Sequence, residues 1–293
     1  MDSAVKGIYV SADPKNGNPQ LSSLIFKPDL VSVELEAMEK LIGDKTVPEK
    51  EKEITLVRYT LGDPRVTGVL IKAKKSGIKV TLITDLNPVM KGDFSTVQGH
   101  FSSAFSKAEL KDPEKSPGAK VIHDLLDAGF EFKKDILSQP LYKPELERIP
   151  IMHEKALLLR SGEQKRAFFG TANMAPNPRF NRTFEIADPA FFDTYQSHVE
   201  TLVDLYKKGK ETSAIAPAPR TLIQYPDGSE MELAFTDGKY NPNDRIVEVL
   251  KDNTLEHIDL SHFVMTHRGF FKALGEAISK NPEASGYAVT DDR

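Results

Sequence analysis

Apolar and polar positions along the chain change period several times, and these changes outline its elements. From Ile54 the run ITLVRYT predicts a strand. DPRVTGVLIKAKKSG follows with Val66, Val69, Leu70 and Ala73 at helical spacing, Asp63 placed to cap the first turn, Pro64 just inside it and Gly77 to close it. IKVTLITD then predicts a second strand, and strand, helix, strand is the unit from which parallel sheets are built. Its carboxyl end, Asp85 to Asn87, points to the edge where sites collect in such sheets. Further on, AKVIHDLLDAG predicts a helix, with His123 read as structural, and FEFKKD a strand. IMHEKALLLR and RAFFG predict a β-hairpin turned by SGEQK, and FFDTYQSHVETLVDLYKKG a helix with Phe192, Tyr195, Val199, Leu202, Val203 and Tyr206 on one stripe.

The flanks are less regular. VKGIYVSADP predicts a strand, NGNPQ a turn, and SLIFKPDLVSVELEAMEKLIG leads into a helix carrying Leu35, Met38, Leu41 and Ile42. The EKEK run before Ile54 is expected as a solvated boundary. Residues 88–118 are polar and turn-rich, an excursion suited to shaping a site or to a plain loop. ETSAIAPAPRTLIQYPDG, with its prolines, is expected to link two lobes.

After that link the first pattern returns. Ile258, Leu260 and Phe263 fall opposite Ile54, Leu56 and Tyr59; Leu274 and Ala277 fall opposite Leu70 and Ala73; GYAVTDD matches KVTLITD. The expected organisation is therefore an extension over 1–53 packed on the first lobe, the first lobe over 54–210, a linker over 211–225, and the start of a second, repeated lobe over 226–293. His257, His262 and His267 are spaced by five, which suits neither one strand face nor one helix face, so no metal site is expected there.

Composition adds limits. With 39% hydrophobic and 28% charged residues among 293, the chain has a core to bury, and no stretch is apolar enough for a membrane span. Lys+Arg 39 against Asp+Glu 43 gives a net charge of −4, which argues against a non-specific nucleic-acid binder. The absence of cysteine excludes disulfides, thiolate metal sites and a thiol nucleophile. A soluble protein is expected, and a secreted or periplasmic one with its leader removed is compatible with the same sequence.

The chemistry concentrates between Ile151 and Ile186. In an extended strand His153 and Lys155 share a face, which sets an imidazole nucleophile beside a fixed cation. Gly170, Thr171 and Asn173 follow the second strand. The glycine allows close approach of backbone to a ligand, and the hydroxyl and amide can bond an oxyanion. Asn181 and Glu185 come next, and Glu185 could orient an imidazole. This order resembles one half-site of the phospholipase D superfamily, His-x-Lys-x4-Asp followed by Gly-Ser/Thr-x-Asn. Arg160 stands where that motif has its Asp.

The resemblance implies an α/β fold, a mixed β-sheet with helices on both faces, present as one complete lobe and the beginning of a second. It implies a phosphodiesterase that needs no cofactor or metal and works through a phosphohistidine. The catalytic set would be His153, Lys155, Asn173 and Glu185, and the phosphate ligands Lys155, Gly170, Thr171 and Asn173. A phospholipid is the expected substrate among phosphodiesters, with transient contact to a membrane surface. A nuclease and an inactive scaffold are the alternatives. Because the family joins two such motifs in one site, the second is expected from a further C-terminal lobe or from a homodimer partner.

Overall fold

A computed structural model describes residues 5–10, 25–26, 29–90, 110–138, 154–170, 174, 182–210, 221–225, 228, 230–233, 235, 242–252, 257–262 and 268–290. The chain forms two compact units, Met1–Thr212 and Ser213–Arg293.

In the first unit, strands β1 (Val5–Val10) and β2 (Ile25–Phe26) precede helix α1 (Leu30–Gly43). Then come β3 (Lys52–Arg58), α2 (Pro64–Lys75), β4 (Lys79–Thr84), α3 (Pro117–Asp127), β5 (Ile136–Leu137), β6 (Lys155–Ser161), β7 (Gln164–Gly170), β8 (Arg182–Ile186) and α4 (Pro189–Lys207). The eight strands make one mixed sheet in the order β2-β1-β8-β7-β6-β3-β4-β5. β4 runs parallel to β3 and β5 parallel to β4, whereas β6, β7, β8 and β1 alternate in direction. The expected α/β sheet with helices on both faces is present. Alternate residues of β3, β6 and β7, namely Ile54, Leu56, Leu157, Leu159 and Phe168, pack with α1, α2 and α3. On the other face Phe169 stacks on Phe184 at 5.1 Å and on Phe191 of α4 at 5.5 Å.

Local chemistry explains the helix ends. Asp63 accepts from Arg65 N and Asp188 from Phe191 N, each followed by a proline in the first turn. Gly77 takes φ +86° after α2, the left-handed turn that a residue with a Cβ resists.

Three local expectations need correction. The charge run before Ile54 is solvated only at its start: Glu49–Glu51 form a turn with no buried residue, but β3 begins at Lys52, and both Lys52 and Glu53 are buried. Lys52 Nζ donates to Asp44 O, and Glu53 is held by cations on both neighbouring strands. The first 53 residues supply β1, β2 and the start of β3 to the sheet, and α1 to the core. FEFKKD is not a strand. Phe132 makes a single bridge to Ile136, Lys133 adopts φ 66° in a turn, and the strand is the apolar pair after it. The alternation of FEFKK mimics a strand, but Lys133 N bonds back to Ile136 O at 2.8 Å. Lastly, the hairpin turn has two residues, Gly162 and Glu163, because Ser161 pairs with Gln164. Gly162 has φ +57°, as the first position of a tight hairpin loop asks.

The second unit contains the hairpin β9 (Thr221–Gln224) and β10 (Glu230–Leu233), then α5 (Pro242–Asp252), β11 (His257–His262), α6 (Arg268–Lys280) and β12 (Ser285–Thr290). Residues 221–224, expected within the linker, belong to this hairpin. β11 and β12 are parallel and joined through α6, the same order as β3, α2 and β4. Leu250, Phe270 and Ala273 form its core cluster.

Candidate active site

The directions of β3, β4, β6, β7 and β8 bring five strand ends to one edge of the sheet. The carboxyl ends of β3 and β4 meet the amino ends of β6 and β8 and the carboxyl end of β7. Thr84 pairs with Arg58, Arg58 with Lys155, and Gly170 with Thr183. Ala156 pairs with Phe169, so continuing that register sets Lys155 opposite Gly170. By the pleat, Lys155, Gly170, Thr183 and Glu185 share the face that carries α1 to α3.

Lys155 is 5% exposed, and its Nζ lies 5.8 Å from the centre of the Tyr59 ring. Burial, with Arg58 beside it as the second cause, lowers its pKa from 10.5 to about 8. Arg58 is buried too. Its Nη2 pairs with Glu34 of α1, and its Nη1 donates to Val57 O at 3.0 Å. Burial raises the Glu34 pKa while the Arg58 guanidinium opposes that rise.

On the other side of the strand, Glu154 accepts from Tyr195 OH and lies 3.4 Å from His198 Nε2. The Tyr195 hydroxyl is pushed well up by burial and then by the Glu154 charge. Tyr59 is raised by burial and by Asp85. The segment between the two motif residues is therefore tied to α4 by its intervening side chain.

Glu185 is buried, and its Oε1 accepts from Arg166 Nε at 2.9 Å and Nη2 at 2.7 Å. It pairs with Phe168 in the ladder, one pleat inward of the Gly170–Thr183 row. Arg160 lies at the far end of β6, where it bonds Glu53 Oε2 at 2.7 Å. Lys79 bonds Glu53 Oε1 at 2.6 Å, so the row Lys79, Glu53, Arg160 alternates in sign.

His153, Thr171, Asn173 and Asn181 lie outside the described residues. The residue directly after the Gly-Thr-x-Asn segment is described, however, and it is tightly held. Met174 O accepts from Gly62 N at 2.8 Å and Asp63 N at 3.0 Å, and Met174 bridges to Leu61. The loop after β7 is thus stitched to the loop between β3 and α2. That second loop also walls a cleft of about 180 Å³ lined by Thr60, Leu61, Thr84, Asp85 and Gly118. A Cβ on Gly118 would lie 2.8 Å from Leu61 O, so only glycine lets α3 approach this wall. Among the described residues, no group of three or more His, Asp or Glu could hold a metal ion.

The profile of the family described as "Cardiolipin synthase, PLD-like domain" matches residues 48–203, which include β3 to β8 and every motif position from His153 to Glu185. The chain belongs to this phospholipase D-like family. The phospholipase D superfamily is one of phosphodiesterases. No curated protein sequence matches the chain. Among solved structures, polyphosphate kinase from Porphyromonas gingivalis is 15% identical with a TM-score of 0.51, over 90% of this chain and 36% of that one. The phospholipase D family member Nuc from Salmonella typhimurium is 12% identical with a TM-score of 0.39, over 67% of this chain and 92% of that one. NucT from Helicobacter pylori is 14% identical with a TM-score of 0.36, over 59% and 89%.

Sequence reading had missed Arg58, Glu34, Glu154 and Tyr195 as neighbours of the motif. A signal for two of them exists. Arg58 shares the parity of Ile54 and Leu56, and Glu34 shares the helical stripe of Leu30, Met38 and Leu41, so each is a charge placed on an apolar face.

Proposed function

We propose that this member of the phospholipase D-like family cleaves phosphodiesters through a phosphohistidine, with a phospholipid as its substrate. The observation that carries this reading is Lys155, a buried cation at the edge where the motif strand begins. Phosphoryl oxygens are negative and repel nucleophiles, so a site for them needs cations and donors already in place. Lys155 supplies the charge; Gly170, Thr171 and Asn173 would supply close backbone approach and donors.

In this scheme a His153 nitrogen attacks phosphorus and the P–O bond to the leaving alcohol breaks. That alkoxide takes a proton from the histidine of a second His-x-Lys half-site, contributed by another lobe or another copy of the chain. Water or an alcohol then attacks the phosphohistidine, giving up its proton to the same second histidine, and frees His153. Glu185 would orient the imidazole while Arg166 holds its Oε1. The scheme uses no metal or cofactor. The acidic balance of the chain favours a lipid over a nucleic acid, and contact with a membrane surface would be transient. No helix among the described residues is long and apolar enough to cross a membrane.

The test is turnover of phospholipid vesicles, bis-p-nitrophenyl phosphate and plasmid by wild type and by H153A. The reading expects cleavage of vesicles and of the small diester, diversion of lipid product to a phosphatidyl alcohol when a primary alcohol is added, and a loss of about 10²-fold or more in H153A. Wild-type turnover in H153A refutes the mechanism. Plasmid cleavage without lipid cleavage refutes the substrate.

A further inference from the structure

Arg58 is buried directly across the ladder from Lys155. Two cations facing each other on adjacent strands oppose one another. A buried ion pair such as Arg58–Glu34 is seldom worth more to stability than apolar side chains of equal volume. The pair is thus an expensive way to join α1 to β3, and its location under the motif lysine calls for another reason. At 1% exposure Arg58 has no surface to offer a substrate, so its action passes through Lys155.

We propose that Arg58, anchored by Glu34, is a positioning residue of this site: its fixed charge sets the charge state of Lys155 and so the pH range over which the site accepts an anionic diester. This deepens the phosphodiesterase reading and rests on it for the role of Lys155, but not for the coupling between the two cations. Burial is the larger cause of the lowered proton affinity of Lys155 and the Arg58 charge the second, which agrees with the placement. Binding of an anion restores that affinity, so above pH about 8 the site takes up a proton as it binds.

Other groups act on Lys155 and set the background. Tyr59 lies under its ammonium, with Asp85 near that ring. Directly before its strand, Glu154 is bound by Tyr195 and His198 of α4. On the shared face, two strands away, Glu185 is bound by Arg166. Of these groups Tyr195 also feels the Arg58 charge, so its own titration is followed alongside that of Lys155 in the Arg58 variants.

The experiment follows the Lys155 ammonium directly, by NMR of full-length protein labelled at lysine Cε, with the signal assigned through K155R. Wild type should titrate near pH 8. R58M/E34L, which replaces the pair by apolar side chains, should move that titration upward towards the ordinary lysine value of about 10.4. R58K should keep it low. E34Q, which leaves the arginine charge uncompensated, should move it lower still, and this variant serves if the double one does not fold. Diethyl phosphate binding, measured by calorimetry from pH 6 to 10, should weaken above pH about 8 in wild type and only at higher pH in R58M/E34L. Titration of Lys155 at the same pH in wild type, R58M/E34L and E34Q overturns the proposal. A moved titration with no diester bound by any form upholds the coupling and instead sinks the phosphodiesterase reading.

Discussion

Restoring the motif aspartate at position 160 should make the protein worse. Arg160 is 46% exposed and Glu53, its partner across the β3–β6 ladder, is 9% exposed, so the pair is treated as a surface one on its arginine side. R160D removes a contact worth about 0.2–1 kcal/mol and sets two carboxylates opposite each other at a further cost of about 0.2–1 kcal/mol. Lys79 stays on Glu53 Oε1 and moderates the loss. The sum is about 0.4–2 kcal/mol, or about 1–8 °C in Tm for a chain of this size. A double-mutant cycle read by thermal unfolding checks the cause: in an E53Q background the same R160D change should cost close to nothing. Turnover should not rise, because Arg160 and Lys155 lie at opposite ends of β6, roughly 17 Å apart at about 3.3 Å per residue. A higher Tm in R160D, an equal cost in both backgrounds, or a gain in turnover would refute this reasoning.

Further expectations concern the site and its supports. Lys155→Ala should lower both affinity and turnover on a diester, since its charge meets the phosphate before and during reaction; a rate loss with unchanged KM would contradict that. Lys155 holds its proton less tightly folded, about 8, than unfolded, 10.5, so below pH 8 its charge costs the fold fully and that cost fades as pH rises from 8 to 10.5. Urea denaturation of wild type relative to K155M should therefore show wild type gaining over this window, a difference that cancels the opposite trend of the raised tyrosines Tyr195 and Tyr206. Gly118→Ala forces a Cβ to 2.8 Å from Leu61 O and 2.9 Å from Val89 Cγ1, and should cost about 1–3 kcal/mol in the same assay. Phe168→Ala, at a side chain with no exposure, should cost about 3–5 kcal/mol.

The regular parts of the fold were legible because their apolar residues keep one period over a whole element. ITLVRYT and IKVTLITD became adjacent parallel strands, with α2 between them capped by Asp63 and closed before Gly77. The order of the motif was legible too, although only Lys155, Gly170 and Glu185 of its expected residues are described. What failed to show depends on partners distant in sequence. Lys52 and Glu53 read as solvent-facing because nothing local reveals Asp44 O, Lys79 and Arg160 waiting for them. FEFKKD alternates like a strand, yet Lys133 takes a positive φ and its N–H bonds Ile136 O, so the chain turns instead. Glu154 sits between the two motif residues, and only folding reveals that Tyr195, some forty positions away, bonds it.

The two ends of β3 and β6 show how differently one ladder can treat charge. At the start of β3, Lys79, Glu53 and Arg160 alternate in sign across three strands, the arrangement a sheet adopts when its side chains only need to agree with one another. At its other end Arg58 faces Lys155, cation to cation, with the carboxylate of Glu34 drawn in from α1 against its own burial. The lowered proton affinity of Lys155 follows first from its burial and then from this opposition. An anion brought to this edge would relieve it, because a negative charge near Lys155 offsets both the lost hydration and the repulsion from Arg58. Electrostatic strain at this end and electrostatic order at the other follow if this edge was shaped to receive a phosphate. The same contrast explains why a changed residue at 160 can be absorbed by the fold while changes at 58 or 155 should reach the chemistry.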